Sequence, residues 1–300
     1  MIGRRALLGG VALSAFGASR PRAESDAVIM RKQYVECRYG QLHIHIATPA
    51  DAKLKLRTPV VCFHPTPASG QYFLAFMKLM ATDRIVMSVD TPGYGESDPP
   101  PGPVGMLAYA EAVAEGLSSF GYGQTASIDV LAYHTGNFIS SELALRQNSP
   151  VRRLVMTAIP HYADPARKKA AAAQIRRWTF TEDPKPILDL WDGTVRRRAD
   201  GVGLRQSIDQ FLERLRPGDR EWWAYEAVFA YDSAGALPRI LQPTVILNPH
   251  GALYEQTLAA ARIMPRATLV DLADLSHGVF QTGQAIIAKH ARAFLDDVPR

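Results

Sequence analysis

The spacing of apolar and polar positions along this chain predicts a sheet built from short strands. Tyr34-Val35-Glu36-Cys37-Arg38-Tyr39 and Leu42-His43-Ile44-His45-Ile46 alternate in character on either side of Gly40-Gln41, as an antiparallel hairpin does. Pro59–Phe63 and Ile85–Val89 are nearly continuous apolar runs, the pattern of strands covered on both faces, with a helix expected over Gln71–Ala81 between them. A helix over Met106–Phe120, a strand over Ser127–Ala132, a helix over Asn137–Gln147 and a strand over Arg153–Ile159 follow. The rhythm resumes late, with strands Thr244–Asn248 and Thr268–Leu272 and helices Tyr254–Met264 and Gly283–Leu295. Alternation of this kind predicts an α/β fold, a mostly parallel central sheet with helices on both faces.

Residues 161–235 break the pattern. Helices are expected near Pro165–Trp178, Pro186–Arg198 and Leu204–Leu215, and the segment holds all four tryptophans, Trp178, Trp191, Trp222 and Trp223, with acids and bases nearly cancelling. A helical insert that leaves a parallel strand and returns to the same sheet reads as a cap over the functional edge. The competing reading is an ordinary helical layer whose tryptophans are core. The expected organisation is a core of 28–160 and 236–300 with a cap of 161–235.

Composition adds bounds. With 300 residues, 47% of them apolar and 21% charged, the chain has ample material for a large core, which excludes a disordered or disulfide-built protein. Cys37 and Cys62 read as free thiols. The formal charge of +5 owes most of its excess to Arg4, Arg5, Arg20 and Arg22, in a stretch that has no acid before Glu24. No nucleic-acid partner is therefore expected. Arg4-Arg5 precede an apolar run from Ala6 to Ala18 that is too short to span a bilayer, which resembles a cleaved export signal of the twin-arginine type over 1–27. That implies a periplasmic or secreted protein with no stable membrane anchor after signal removal. The expected partner is a small-molecule substrate, and oligomerisation is left open.

In open α/β sheets, chemistry gathers beyond the carboxyl ends of the strands. The ends here read His64-Pro65-Thr66-Pro67, Asp90-Thr91-Pro92-Gly93-Tyr94-Gly95-Glu96-Ser97-Asp98, Ala132-Tyr133-His134-Thr135-Gly136 and Ser276-His277-Gly278. In this order, and with the cap between them, they resemble the α/β-hydrolase superfamily over about residues 34–300. The Asp-x-Pro-Gly-Tyr-Gly-x-Ser-Asp stretch is the most specific local match. The resemblance implies an α/β-hydrolase fold, a His-Gly-x-Pro-like oxyanion loop in which Pro65 replaces the Gly and Thr66 offers its N–H, and a catalytic role for His277.

One element departs from the family. Its nucleophile elbow is Gly-x-Ser-x-Gly, whereas here Ala132 replaces the first Gly and His134 the Ser. Gly136 still permits close packing of helix on strand, and Thr135 supplies the second oxyanion N–H. A neutral imidazole, with an ordinary pKa of about 6.5, acts as nucleophile or base near neutral pH without a partner to deprotonate it. Tyr133 and Thr135 are discounted as nucleophiles because their side chains are expected to point away from the apex. The acid that would orient His277 is missing from both customary places, since Gly251-Ala252 and Thr157 stand there. Asp164, Glu255 and Asp274 are the nearest acids and read as surface charges. An intact Ser-His-Asp triad is excluded.

Five histidines, His64, His134, His161, His250 and His277, follow strands on the functional edge. Clustered imidazoles suggest a zinc site, but no His-x-x-x-His or carboxylate-bearing metal motif accompanies them, so no metal is expected. No cofactor is expected. His64, His161 and His250, with Trp178 and Trp191, are expected at a substrate pocket, while His43, His45 and His290 read as structural or solvent-facing. The leading expectation is an exported hydrolase-like enzyme for a small, partly apolar ester, lactone or related acyl compound, with His134 and His277 catalytic and Thr66 and Thr135 as the oxyanion hole. The alternative is a hydrolase-fold protein that binds a small ligand and has lost the chemistry.

Overall fold

In the computed structural model, which describes residues 27–122, 126–177, 179, 181–276 and 278–297, a hairpin opens the chain, β1 (Val28–Cys37) against β2 (Gly40–Pro49). Apart from Ala27, the leader expected at 1–27 lies outside the described residues. The hairpin turn is Arg38-Tyr39, with Cys37 paired to Gly40, so it falls two residues before the expected Gly40-Gln41. Gly40 has φ 110°, and a Cβ there would collide with the Asp98 carboxylate, which accepts the Gln41 N–H at 2.8 Å. The glycine thus serves a close approach rather than the turn itself.

β3 (Val60–Phe63), α1 (Leu74–Met80), β4 (Val86–Val89), α2 (Met106–Ser118), β5 (Ile128–Tyr133), α3 (Gly136–Leu145) and β6 (Val151–Thr157) follow. The insert then contributes α4 (Pro165–Ala172), α5 (Lys185–Trp191), α6 (Leu204–Leu215), α7 (Trp223–Ala230) and the single turn α8 (Ser233–Ala236). The chain returns with β7 (Thr244–Pro249), α9 (Tyr254–Ile263), β8 (Ala267–Leu272), the single turn α10 (Val279–Thr282) and α11 (Gln284–Leu295). The sheet order is β1-β2-β4-β3-β5-β6-β7-β8, antiparallel as far as the β2–β4 pair and parallel from β4 onward.

The continuous apolar runs are explained by two cores, one on each face of the sheet. Val61, Phe63, Val130 and Ala132 point into one, and Val60, Cys62, Leu131 and Tyr133 into the other. Both cysteines are free, Cys62 buried and Cys37 half-buried. Among the described residues no helix is long and apolar enough to cross a membrane.

Inside the insert, α5 runs on into a π-helical turn at Asp192–Arg196. Phe211 of α6 meets Trp191 edge to face, ring centres 5.2 Å apart. This contact gives the insert a small apolar nucleus of its own and leaves the polar face of α6 to look elsewhere.

Candidate active site

β5 ends at Tyr133, and His134 takes φ 51°, the left-handed region that a residue with a Cβ enters at a cost. Two donors to one carbonyl hold the turn there. The His134 N–H donates to Thr157 O at 3.2 Å and Asn137 Nδ2 to the same oxygen at 2.9 Å. α3 begins at once, with Gly136 so near β3 that a Cβ would strike the Phe63 carbonyl. The turn lifts the half-buried His134 into a cavity of about 650 Å³.

Thr66, in the loop after β3, lines the same cavity. Its N–H donates to Thr135 Oγ1 at 3.3 Å, a long bond that a better-placed acceptor can replace. The Thr135 N–H, at the start of α3, is among the donors that a helix N-terminus leaves without intrahelical partners. The Thr66 carbonyl accepts the Tyr225 hydroxyl of α7 at 2.8 Å. Burial pushes the Tyr225 phenol up to about 12, so it stays a donor near neutral pH.

The cavity is two-sided in character. Its floor is aromatic, with Tyr72 stacked on Tyr133 at 5.7 Å and Phe280 against both. Tyr133 also lies against the His134 ring, centres 4.1 Å apart. Sequence reasoning set Tyr133 aside because its side chain leaves the apex. It does point into the second core, but the cavity extends over that core and takes in the ring. Burial raises both tyrosine hydroxyls, Tyr133 to about 12, so the floor stays neutral. The roof is polar: Arg205, Gln206, Asp209, Gln210, Glu213 and Arg214 recur every four residues on one face of α6.

Several residues expected at the pocket occupy other places and are not among the described residues lining the cavity. His64 is buried, its Nδ1 on Pro65 O at 3.0 Å and its Nε2 accepting the Thr91 N–H at 2.9 Å. Burial holds its pKa down, and it stays a neutral brace between two strand-end loops. His161, also buried and with its pKa lowered for the same reason, meets Ser233 Oγ at 2.8 Å. His250 is out at the surface, Nε2 facing the Asp271 carboxylate at 3.0 and 3.1 Å. Trp191 belongs to the insert's apolar nucleus. Trp178 and His277 lie outside the described residues.

At the two customary places for a triad acid the chain has Thr157, buried at the end of β6, and Gly251-Ala252; Ala158, which follows Thr157, has φ 50°. Asp164 caps α4 by accepting the Ala166 N–H at 2.8 Å.

A different carboxylate organises the region behind the site. Asp90 is buried at the end of β4 and accepts from His43 Nδ1 at 2.8 Å, Gly70 N at 2.6 Å and Glu96 N at 2.9 Å. Burial works to raise its pKa, but these donors and the nearby His64 hold it below the usual carboxylate range. His43, His45 and Asp90 are the group with metal-ligand spacing among the described residues, their donor atoms within 4.8 Å of one another. Asp90 is already committed to three donors, and none of the three residues lines the cavity. Sequence reasoning had His43 and His45 as structural or solvent-facing; both are buried.

The sequence model described as "Alpha/beta hydrolase family" matches residues 60–289. A poly(3-hydroxyalkanoate) depolymerase of Ectopseudomonas oleovorans is 24% identical over 223 residues, which cover 71% of this chain and 75% of that protein. Among solved structures, an esterase from Thermogutta terrifontis superposes with a TM-score of 0.67 at 20% identity, covering 89% of this chain and 98% of its own. The enol-lactonase from Burkholderia xenovorans LB400 gives a TM-score of 0.65 at 18% identity over 88% and 100% of the two chains. At these identities the superpositions speak to the fold.

Proposed function

Since the chain belongs to the alpha/beta hydrolase family, we propose that it is an exported hydrolase of small, partly apolar esters, lactones or related acyl compounds, in which His134 acts on the acyl carbonyl. The observation that carries this reading is the left-handed apex that presents the His134 imidazole to a cavity floored by aromatic rings. A substrate with an apolar body fits that floor, and the names of the esterase and the enol-lactonase among the structural relatives agree with an acyl substrate.

Two routes suit an imidazole at that apex. In the first, a ring nitrogen bonds to the carbonyl carbon and the carbonyl electron pair moves to oxygen. Collapse expels the alkoxide, which takes the imidazole proton, and water then cleaves the acyl-imidazole. In the second, the imidazole takes a proton from water, the hydroxide adds to the carbonyl, and the same proton passes to the departing alkoxide. In both, the Thr66 and Thr135 N–H groups stabilise the oxyanion, which displaces the Thr135 hydroxyl from its 3.3 Å contact with Thr66. Export, to the periplasm or medium, is supported by Arg4-Arg5 and the apolar run behind them.

The test is a panel of esters, lactones, amides and epoxides offered to the mature protein and to His134→Ala. Activity lost in the variant while its fold persists is the expected result; equal turnover removes His134 from the mechanism. Mass analysis after rapid quenching separates the routes, because only the first leaves an acyl group on His134.

A second reading, a ligand-binding protein without turnover, draws on the same Thr66–Thr135 contact, in which a hydroxyl already occupies an oxyanion donor. A mature protein that binds members of the panel and converts none would establish it.

A further inference from the structure

The charged side chains on the cavity face of α6 are engaged in ion pairs. Arg205 Nε donates to the Asp209 carboxylate at 3.0 and 3.2 Å, Glu213 Oε1 is 3.4 Å from Arg216 Nε, and Arg214 Nη2 is 3.4 Å from Glu221 Oε1. The same face carries Gln206 and Gln210, which line the cavity one helical turn apart. Side chains at that spacing are neighbours, with about 5–6 Å between their Cβ atoms. Both are half-buried, and no described residue hydrogen-bonds to either side-chain amide. Neither amide is sealed off, since the enclosed polar atoms without partners among the described residues include none of theirs. With its charges engaged with one another, the roof offers a ligand these two neutral amides.

We infer that Gln206 and Gln210 form a subsite for a secondary amide carried on the acyl or alcohol part of the substrate, apart from the carbonyl on which His134 acts. Each glutamine offers N–H donors at Nε2 and an acceptor at Oε1. A trans amide is planar, with its N–H and C=O pointing in opposite directions. Lying between two side chains one turn apart, it accepts from Nε2 of one and donates to Oε1 of the other. A ketone or ester carbonyl only accepts, so it leaves both Oε1 atoms without a donor where the ligand has displaced water. A carboxylate or an ammonium competes for partners that already hold each other, and a methylene satisfies neither glutamine. Tyr72, Tyr133 and Phe280 line the same cavity, so the groups flanking the amide are apolar.

This inference rests on the hydrolase reading for its catalytic meaning, but binding measures it separately. The probes are N-propylbutanamide, its N-methyl derivative, which lacks the donor, and octan-4-one, in which a methylene replaces the N–H. They are titrated calorimetrically into wild type, Gln206→Met and Gln210→Met, substitutions that keep the side chain's length and remove its amide. In wild type the secondary amide is expected to bind about tenfold more tightly than either of the other two. That ratio, taken within each protein, is expected to collapse toward one in both variants. No binding of the secondary amide, no preference for it in wild type, or a preference that survives in both variants overturns the subsite. Turnover of p-nitrophenyl 4-acetamidobutanoate and of its ketone counterpart, p-nitrophenyl 6-oxoheptanoate, is scored in parallel. A protein that cleaves neither yet keeps the binding pattern loses the hydrolase reading and keeps the subsite; one that cleaves both alike with flat affinities loses the subsite alone.

Discussion

The Tyr225 hydroxyl, carried by the insert, donates to the Thr66 carbonyl at 2.8 Å in the loop whose N–H faces Thr135. The insert and the expected oxyanion loop are thereby joined at the Thr66 carbonyl. Polarising that carbonyl also polarises the peptide dipole of Thr66 and Pro67 and fixes the loop's height over the cavity. Tyr225→Phe keeps the ring and removes the bond. We expect kcat/KM on the best ester to fall about tenfold and the fold to lose about 1 kcal/mol. Steady-state kinetics with urea titration checks both, and unchanged kinetics would make the bond purely structural.

His134 has φ 51°, where glycine is the comfortable residue. His134→Gly is expected to raise stability by about 1 kcal/mol while reducing turnover at least a hundredfold, the signature of a side chain retained for chemistry against local backbone preference. Denaturant midpoints and initial rates measured side by side decide it; a variant that is both weaker in fold and fully active would contradict it.

The Thr135 hydroxyl accepts the Thr66 N–H at 3.3 Å, so in the proposed mechanism it stands in the place of the oxyanion. Thr135→Val removes the competitor at nearly constant volume, and kcat/KM is expected to rise about threefold. A large loss would instead assign the hydroxyl a supporting role in the loop.

His45 is held down to about 4, chiefly by burial, with Asp90 and Glu96 pulling the other way and His43 and Lys32 adding to the depression. The unfolded chain takes up this proton near its ordinary value of about 6.5. The folded state therefore binds fewer protons in the window from about 6.5 down to about 4, so stability is full above it and lost as pH falls through it. His64 and His161, lowered in the same direction, steepen the loss. Melting temperature should decline across that window, with a smaller slope in His45→Gln. Parallel slopes in the two proteins would show that His45 titrates normally in the fold.

Much of the architecture was readable from sequence because each central strand packs on both faces, which forces runs such as Val60–Phe63 and Ile128–Tyr133 to be apolar throughout. The left-handed turn at His134 was readable because a strand end, the turn residue and a packing glycine follow in fixed order. Direction was harder. A strand-end position says which edge a histidine reaches but not whether its ring faces the cavity: His64 folds back onto Thr91, and His250 turns out toward Asp271. The Asp90–His43 bond joins residues 47 apart in sequence and left no local signal. Glu213 was missed because a polar helical face reads as solvent-facing, and here part of that face lines the cavity.

The way α6 is held has an evolutionary consequence. It is anchored through Phe211 on Trp191, on the side away from the cavity, while Gln206 and Gln210 line the cavity. Anchorage and discrimination thus sit on opposite sides of one helix. Drift at 206 and 210 can change what the cavity accepts with little penalty to its foldedness, so descendants of this scaffold can diverge in diet while the turn at His134 stays as it is.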